Sequence, residues 1–142
     1  MPTRHASATW EGGFQNGKGS FQGESNAIHG SYSAGSRFGE AGGTNPEELL
    51  AAAQAACFSM AFALGLDKNG TPAERVHTEA ACTIEKQGEG FTITTMKLKT
   101  RARVPGLDEA KFQELAEAAR TGCPVARALA AVKIELDAAL ES

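Results

Sequence analysis

The chain has 142 residues, the length of one ordinary domain, and the sequence predicts a single domain over residues 1–142. Its 14 Lys and Arg residues against 17 Asp and Glu residues give a formal net charge of -3, and no basic cluster with interleaved aromatic residues is present. These features exclude nucleic acid as an expected partner. Three irregularly spaced cysteines, with no charged and apolar leader at the N-terminus, predict a cytoplasmic protein whose thiols stay reduced.

The first forty residues combine Gly, Ser and Thr with isolated aromatic residues. This composition predicts short twisted strands joined by glycine turns rather than helices. The aromatic residues that mark these strands are Trp10, Phe14, Phe21, Tyr32 and Phe38.

A helix of about twenty residues is predicted to begin at the segment Thr44-Asn45-Pro46-Glu47-Glu48. Thr44 or Asn45 can cap it, Pro46 suits its first turn, and the two glutamates complement the positive end of the helix dipole.

The body of this helix is apolar on all sides. From Leu49 to Leu66, the only polar side chains are Gln54 and Ser59, and this length approaches that of a membrane span. Many of the apolar residues are alanines, and no aromatic or basic anchors flank the segment, so we expect a buried helix and no membrane. Because such a helix must be covered on every side, the sequence predicts a homodimer with this helix at its centre.

Two strands are predicted over residues 75–86 and 91–104, with Gly88-Glu89-Gly90 as the hairpin turn. The first strand places apolar residues, including Cys82, on one face. In the second strand the apolar residues switch from one face of the strand to the other, which predicts a bulge near Thr94 or Thr95.

Two helices and a last strand complete the chain. Asp108 is the expected cap of an amphipathic helix that ends at Gly122, and a second short helix begins at Cys123-Pro124. Residues 132–140 alternate between apolar and mostly charged side chains, which indicates a half-buried strand. Since neither a repeated βαβ pattern nor a glycine-rich phosphate loop is present, the predicted fold class is α+β with antiparallel pairing.

The cysteines are the candidate chemical groups, although each also has an interpretation as inert packing. Cys123 falls at a helix start, where unpaired backbone N–H groups stabilise a thiolate, so both interpretations stay open for it. Periodicity alone predicts packing for Cys57 in mid-helix and for Cys82 on its strand. The cysteines and histidines show none of the close pairs, such as C-x2-C or H-x3-H, in which zinc ligands usually occur, so no metal is expected.

Four segments carry a more specific signal. They are Ser36-Arg37-Phe38-Gly39-Glu40, Gly43-Thr44-Asn45-Pro46-Glu47-Glu48-Leu49-Leu50, Ala55-Ala56-Cys57-Phe58-Ser59-Met60-Ala61 and Gly122-Cys123-Pro124-Val125. Together they resemble the osmotically inducible protein C family, the relatives of the organic hydroperoxide resistance proteins. The likeness extends from Trp10-Glu11-Gly12 to the last strand, and the position of the arginine is similar to that of the osmotically inducible branch.

This resemblance implies the α+β fold of an intertwined homodimer, with antiparallel sheets around long central helices. It also implies a thiol peroxidase for organic hydroperoxides, with hydrogen peroxide as a further candidate substrate. Cys57 would attack the peroxide, Cys123 would resolve the product as a disulfide, and Arg37 and Glu47 would complete the site. An external dithiol, such as a lipoyl-bearing protein, would reduce the disulfide, and no cofactor is implied. The resemblance leaves open whether Arg37 acts in its own subunit or its partner's.

Each supporting residue also has a simpler interpretation. Arg37 could be a surface arginine, and Glu47 a first-turn helix charge like its neighbour Glu48. The predicted apolar wall of the substrate pocket consists of Phe58, Met60 and Phe62. Two other functions stay possible for the whole chain: a redox-sensing or stress-protective dimer without significant turnover, and a structural protein whose cysteines fill the core.

Overall fold

A computed structural model describes residues 1–141, which form two compact units. The first unit, Met1–Leu49, contains strands β1 (Ala6–Glu11), β2 (Lys18–Gly23) and β3 (His29–Tyr32) and the short helix α1 (Ala34–Phe38). Helix α2 (Pro46–Lys68) begins in it. The second unit starts at Leu50 and contains β4 (Arg75–Gln87), β5 (Gly90–Arg103), α3 (Glu109–Gly122), α4 (Pro124–Ala128) and β6 (Lys133–Glu141). The mixed α+β class predicted from the sequence is confirmed.

The first unit is a three-stranded antiparallel sheet in the order β1-β2-β3. Of the five aromatic residues that the sequence assigned to strands, Trp10, Phe21 and Tyr32 lie in them. The Trp10 and Tyr32 rings pack with centroids 5.6 Å apart. Gly19 lies on the strand between them, where a Cβ atom would come within 2.5 Å of the Tyr32 ring. The prediction of short strands is therefore confirmed, and glycine is required at this close approach.

The sequence did not predict α1, which occupies the end of the segment interpreted as strands. Its start is a reciprocal capping box, in which the Ser33 hydroxyl accepts from the Ser36 N–H at 3.0 Å. The Ser36 hydroxyl in turn accepts from the Ser33 N–H at 2.8 Å. These two bonds satisfy backbone donors at the start of a helix that is too short to show apolar periodicity.

Helix α2 begins where the sequence predicts it, with the Asn45 side chain accepting from the Glu48 N–H at 2.8 Å. One face is fully buried and carries side chains spaced four residues apart: Gln54, Phe58, Phe62 and Leu66. The opposite face is exposed within the chain, with Met60 76% and Leu64 54% accessible. By length and composition alone, α2 could cross a membrane, and only 22% of its most apolar 18 residues are buried. Its apolar surface is thus only partly covered by its own chain.

The second sheet has the order β4-β5-β6, and its hairpin is antiparallel. The pairing of Thr83 with Thr95 is followed by that of Ile84 with Ile93, so Thr94 is the extra residue of a bulge. This confirms the bulge that the change of apolar side predicted.

The pairing of the last strand differs from the antiparallel prediction, because β6 runs parallel to β5. Helices α3 and α4 lie between these strands in the chain and carry it back to the end at which β5 begins. Parallel neighbours require such a crossover connection. Alternation of apolar and charged residues predicts which face of β6 is buried, but it contains no information about strand direction.

The core of the second unit lies between α2, α3 and the β5 face of the sheet. The Phe62 ring packs against Phe58 at 5.7 Å and edge-on against Phe112 at 5.3 Å, and all three side chains are fully buried. Met96 and Leu98 of β5 belong to the same cluster. This packing fixes α2 against α3, and the end of α3 leads directly to Cys123.

Candidate active site

Arg37 and Glu47 form an ion pair within the first unit. The Arg37 Nε donates to Glu47 Oε1 and Oε2 at 3.0 and 3.3 Å, and Nη2 donates to Oε1 at 2.7 Å. The Glu47 side chain is 8% exposed and the Arg37 side chain 36%. The buried carboxylate therefore holds one edge of the guanidinium, while the rest of the cation stays accessible.

Short polar contacts position this pair. The Ser36 hydroxyl donates to the Thr44 carbonyl at 2.8 Å, and the Asn45 side-chain amide donates to the Ser36 carbonyl at 3.1 Å. These bonds join the end of α1 to the start of α2, so the arginine on one element and the glutamate on the other have little freedom to separate.

The Arg37 side chain also borders an aromatic cleft of about 300 Å³ in the first unit. Trp10, Phe14, Tyr32 and Phe38 line it together with the guanidinium. The guanidinium carbon lies 5.4 Å from the centre of the Phe38 ring, a distance suited to a cation–π contact.

Cys123 lies at the junction of the two helices of the second unit. Its backbone N–H closes the end of α3 by donating to the Ala119 carbonyl, and its sulfur caps the start of α4. The Cys123 Sγ accepts from the Ala126 N–H at 3.3 Å and from Gln54 Nε2 at 3.5 Å, and the side chain is fully buried. The Gly-Cys-Pro segment therefore places this sulfur at a helix start, as the sequence predicts, where the backbone N–H of Ala126 points at it.

Cys57 is a neighbour of this buried sulfur, because it lies close enough to act on the pKa of the Cys123 thiol. Burial raises the pKa of the Cys123 thiol above its ordinary value, and the Ala126 N–H opposes this effect. The interaction with the neighbouring Cys57 raises the pKa of Cys123 further, whereas the Gln54 amide lowers it. Cys123 is thus held as a neutral thiol beside Cys57, although two donors already point at its sulfur.

Cys57 itself is half-buried and opens onto a cleft of about 460 Å³ in the second unit. Met60 and Leu64 of α2 line the cleft on one side and Leu115 of α3 on the other, and Lys68 adds a charged side chain to the lining. An apolar cleft that ends at a reachable thiol can hold the organic part of a small molecule next to the sulfur.

The predicted pocket residues are divided between two environments. Met60 lines the cleft beside Cys57, but Phe58 and Phe62 are core residues on the buried face of α2 and do not line it. The physical reason is helical spacing, because residues 58 and 62 point about a third of a turn or more away from the face that carries residues 57, 60 and 64.

Gln54 is the contact that the sequence interpretation missed. It is fully buried, its Nε2 donates to Cys123 Sγ, and its Oε1 has no hydrogen-bond partner among residues 1–141. Ser59, the other polar residue of this apolar stretch, donates to the Thr78 hydroxyl at 2.7 Å. A lone amide in an otherwise apolar helix is costly to bury, and this cost was the available signal that Gln54 faces a polar group.

The third cysteine lies outside the Arg37–Glu47 and Cys57–Cys123 pairs. Cys82 is half-buried on β4 and packs against the core of the second unit. Within residues 1–141, no three His, Cys, Asp or Glu side chains are grouped in a way that could hold a metal ion.

The sequence and the fold both match a known family. The family model described as OsmC-like protein matches residues 39–137. Peroxiredoxin OsmC of Escherichia coli (strain K12) is 42% identical over 136 residues, which are 95% of this chain and 94% of that protein. The organic hydroperoxide resistance protein of Xanthomonas axonopodis pv. citri is 36% identical over 130 residues, 89% of this chain and 85% of that protein.

The fold is similar to that of solved family structures. The crystal structure of the organic hydroperoxide resistance protein OhrB of Bacillus subtilis matches with a TM-score of 0.71 at 25% identity. The match covers 95% of this chain and 98% of that one. The family resemblance inferred from the motifs is thereby confirmed, and the chain belongs to the OsmC family.

Proposed function

We propose that this protein is a cysteine-based thiol peroxidase that reduces organic hydroperoxides. The observation that carries the proposal is the thiol pair: Cys57 borders an apolar cleft and lies beside the fully buried Cys123, on whose pKa it acts. Relatives that are 42% and 36% identical are named peroxiredoxin and organic hydroperoxide resistance protein, which supports peroxide as the oxidant.

In the first step the Cys57 thiolate attacks the distal oxygen of the hydroperoxide. A sulfur–oxygen bond forms, the oxygen–oxygen bond breaks, and the departing alkoxide takes up a proton and leaves as an alcohol. Cys57 becomes a sulfenic acid, oxidised by two electrons, while the peroxide is reduced by two.

In the second step the Cys123 sulfur displaces the hydroxyl of the sulfenic acid, which leaves as water, and a Cys57–Cys123 disulfide forms. An external dithiol, for which a lipoyl-bearing protein is our candidate, reduces the disulfide by thiol exchange and restores both thiols. All the oxidising equivalents in this cycle come from the peroxide, and the proposed steps need none from a cofactor.

Arg37 is proposed to stabilise the negative charge that develops on the departing oxygen. Complete ionisation of a thiol with a pKa of about 8.5 accelerates attack by at most about thirtyfold at neutral pH, so the thiolate alone is too weak. The edge of the Arg37 guanidinium that Glu47 leaves accessible can donate to that oxygen. Glu47 acts through Arg37 and is a positioning residue.

A second copy of the chain is proposed to cover the exposed face of α2, in a homodimer. Met60 and Leu64 are more than half exposed on this face, in the most apolar segment of the chain. A protein–protein contact there removes this apolar surface from water, so a membrane is not needed to account for it.

The test is consumption of cumene hydroperoxide in the presence of a dithiol, with mass spectrometry of the protein. We expect steady turnover by the wild type, none by Cys57→Ser, and one oxidation equivalent followed by arrest in Cys123→Ser. Cys82→Ser is the matched control and should turn over normally. A wild type that forms the disulfide without sustained turnover would identify a redox sensor instead, and unreactive thiols would identify a structural protein.

A further inference from the structure

Gln54 is a buried polar side chain beside the thiol pair, and the peroxidase cycle described above gives it no role. Its exposure is 0%, its amide Nε2 lies 3.5 Å from the Cys123 sulfur, and its Oε1 lacks a hydrogen-bond partner in the described part of the chain. A fully buried amide that forms one weak hydrogen bond to sulfur costs more to bury than an apolar side chain of the same size. Stability therefore gives no reason for an amide at this position, and its contact with a reacting atom does.

We propose that Gln54 is a further catalytic residue of the resolving step: its side-chain N–H donates to the Cys123 sulfur and stabilises the thiolate that attacks oxidised Cys57. The inference rests on the peroxidase cycle proposed above and assigns a residue to its second half.

The electrostatics of the site show when this contact matters. While Cys57 is reduced, its interaction with Cys123, including any negative charge on its sulfur, raises the pKa of Cys123 and so opposes ionisation of that thiol. Oxidation to the neutral sulfenic acid removes that charge. Of the titratable groups in the described chain, Cys57 is the one that acts on this thiol. After oxidation, burial still opposes ionisation of Cys123, and the N–H donors of Gln54 and Ala126 favour it.

The resolving step that Gln54 assists begins at the Cys123 thiol. Cys123 loses its proton, its thiolate attacks the Cys57 sulfur, a sulfur–sulfur bond forms and the sulfur–oxygen bond of the sulfenic acid breaks. The hydroxide that leaves takes up the proton and becomes water. The Cys123 sulfur is oxidised and the Cys57 sulfur is reduced, and Gln54 is unchanged.

The first measurement does not depend on peroxide. In a Cys57→Ser, Cys82→Ser background, Cys123 is the one remaining cysteine of the three in the chain, and its ionisation can be followed by thiolate absorbance. Gln54→Leu should raise the pKa of Cys123, and Gln54→Glu should raise it more, because an acceptor replaces the donor. An unchanged pKa of Cys123 in Gln54→Leu would overturn the inference, since the amide would then have no effect on the thiol. A lowered pKa would also overturn it, since the amide would then face the thiol with its oxygen.

The second measurement separates the two chemical steps by stopped-flow kinetics and rapid quench with one equivalent of cumene hydroperoxide. Oxidation of Cys57 in Gln54→Leu should keep its wild-type rate, and disulfide formation should be about tenfold slower at neutral pH. At high pH, Cys123 is ionised in both proteins. Disulfide formation in the variant should then be as fast as in the wild type or faster, because a thiolate of higher pKa is the better nucleophile. A structural defect would slow both steps at every pH.

The matched control is Gln113→Leu, the same chemical change at an exposed glutamine of α3 that donates to Glu109 and to the Ala138 carbonyl. It should leave the Cys123 pKa and both rates unchanged. If Gln54→Leu does not fold, the side-chain amide signals of Gln54 in the wild type provide the test. They should shift as Cys123 ionises, and constant signals would overturn the inference.

The outcomes also distinguish this inference from the proposed function. If the wild type forms no disulfide after peroxide treatment, the peroxidase cycle is wrong, whatever the pKa of Cys123. If the wild type forms the disulfide and Gln54→Leu forms it with the same rate and pH profile, the cycle stands and the role of Gln54 is wrong.

Discussion

Among single residues, Arg37 shows that the proposed reaction depends on the direction of the guanidinium donors as well as on their positive charge. Three hydrogen bonds to Glu47 hold the Nε and one Nη of its guanidinium. A planar fork held along one edge presents its remaining donors in a fixed direction, whereas an ammonium group on a flexible stem does not. The proposed role of Arg37 therefore requires an arginine.

We expect Arg37→Lys to lower kcat/KM for cumene hydroperoxide by about a hundredfold, although the positive charge is kept, because a preorganised donor to the departing oxygen is lost. Arg120→Lys is the matched control, since Arg120 forms a similar fork with Glu117 on the surface of α3. Near wild-type turnover by Arg37→Lys would show that the guanidinium has no role in the chemistry.

Among the elements, α3 and α4 decide where the buried thiol lies. The Asp108 side chain caps α3 by accepting from the Lys111 N–H at 2.7 Å, and Gly122 ends the helix. Cys123 then closes α3 with its N–H and caps α4 with its sulfur. One residue thus serves two helix ends, so its side chain has little freedom to turn away from Cys57.

Asp108→Ala should lower the free energy of unfolding by about 1 kcal/mol, because a backbone donor at the start of α3 loses its acceptor. Urea denaturation followed by circular dichroism measures this change. Glu114→Ala is the control, since the Lys111–Glu114 contact is a surface ion pair and its loss should have little effect. Equal stability of Asp108→Ala and the wild type would mean that this cap does not stabilise α3.

For the whole molecule, the main feature is that α2 is covered by its own chain on one face only. Its buried face packs on the core of the second unit, and its other face presents Met60 and Leu64. Burying apolar side chains of this size is worth about 1.5–3 kcal/mol each, so a second copy on this face would gain substantially.

Met60→Lys should convert the proposed dimer into a monomer, because a charge would have to be buried in an apolar contact. Sedimentation velocity at micromolar concentration measures the mass directly. Thr83→Lys, at an exposed position of β4, is the control and should stay dimeric. A wild type that sediments as a monomer would refute the dimer.

The α3 cap at Asp108, the α2 start at Asn45 and the bulge at Thr94 were each predictable from the sequence, because each depends on a few adjacent residues. Helix α1 was missed because five residues are too few for a periodic signal. Phe58 and Phe62 were assigned to the substrate pocket, since an apolar pattern does not distinguish a core face from a cleft face.

The sequence by itself determined the α+β class, the family, and the residue types from which a redox site can be built, because local spacing and motifs contain that information. Only the tertiary structure decided that β6 runs parallel to β5 and that Gln54 donates to the Cys123 sulfur. Both are contacts between segments distant in the chain. Their geometry depends on how helices and strands pack, and packing depends on the shapes of many side chains at once.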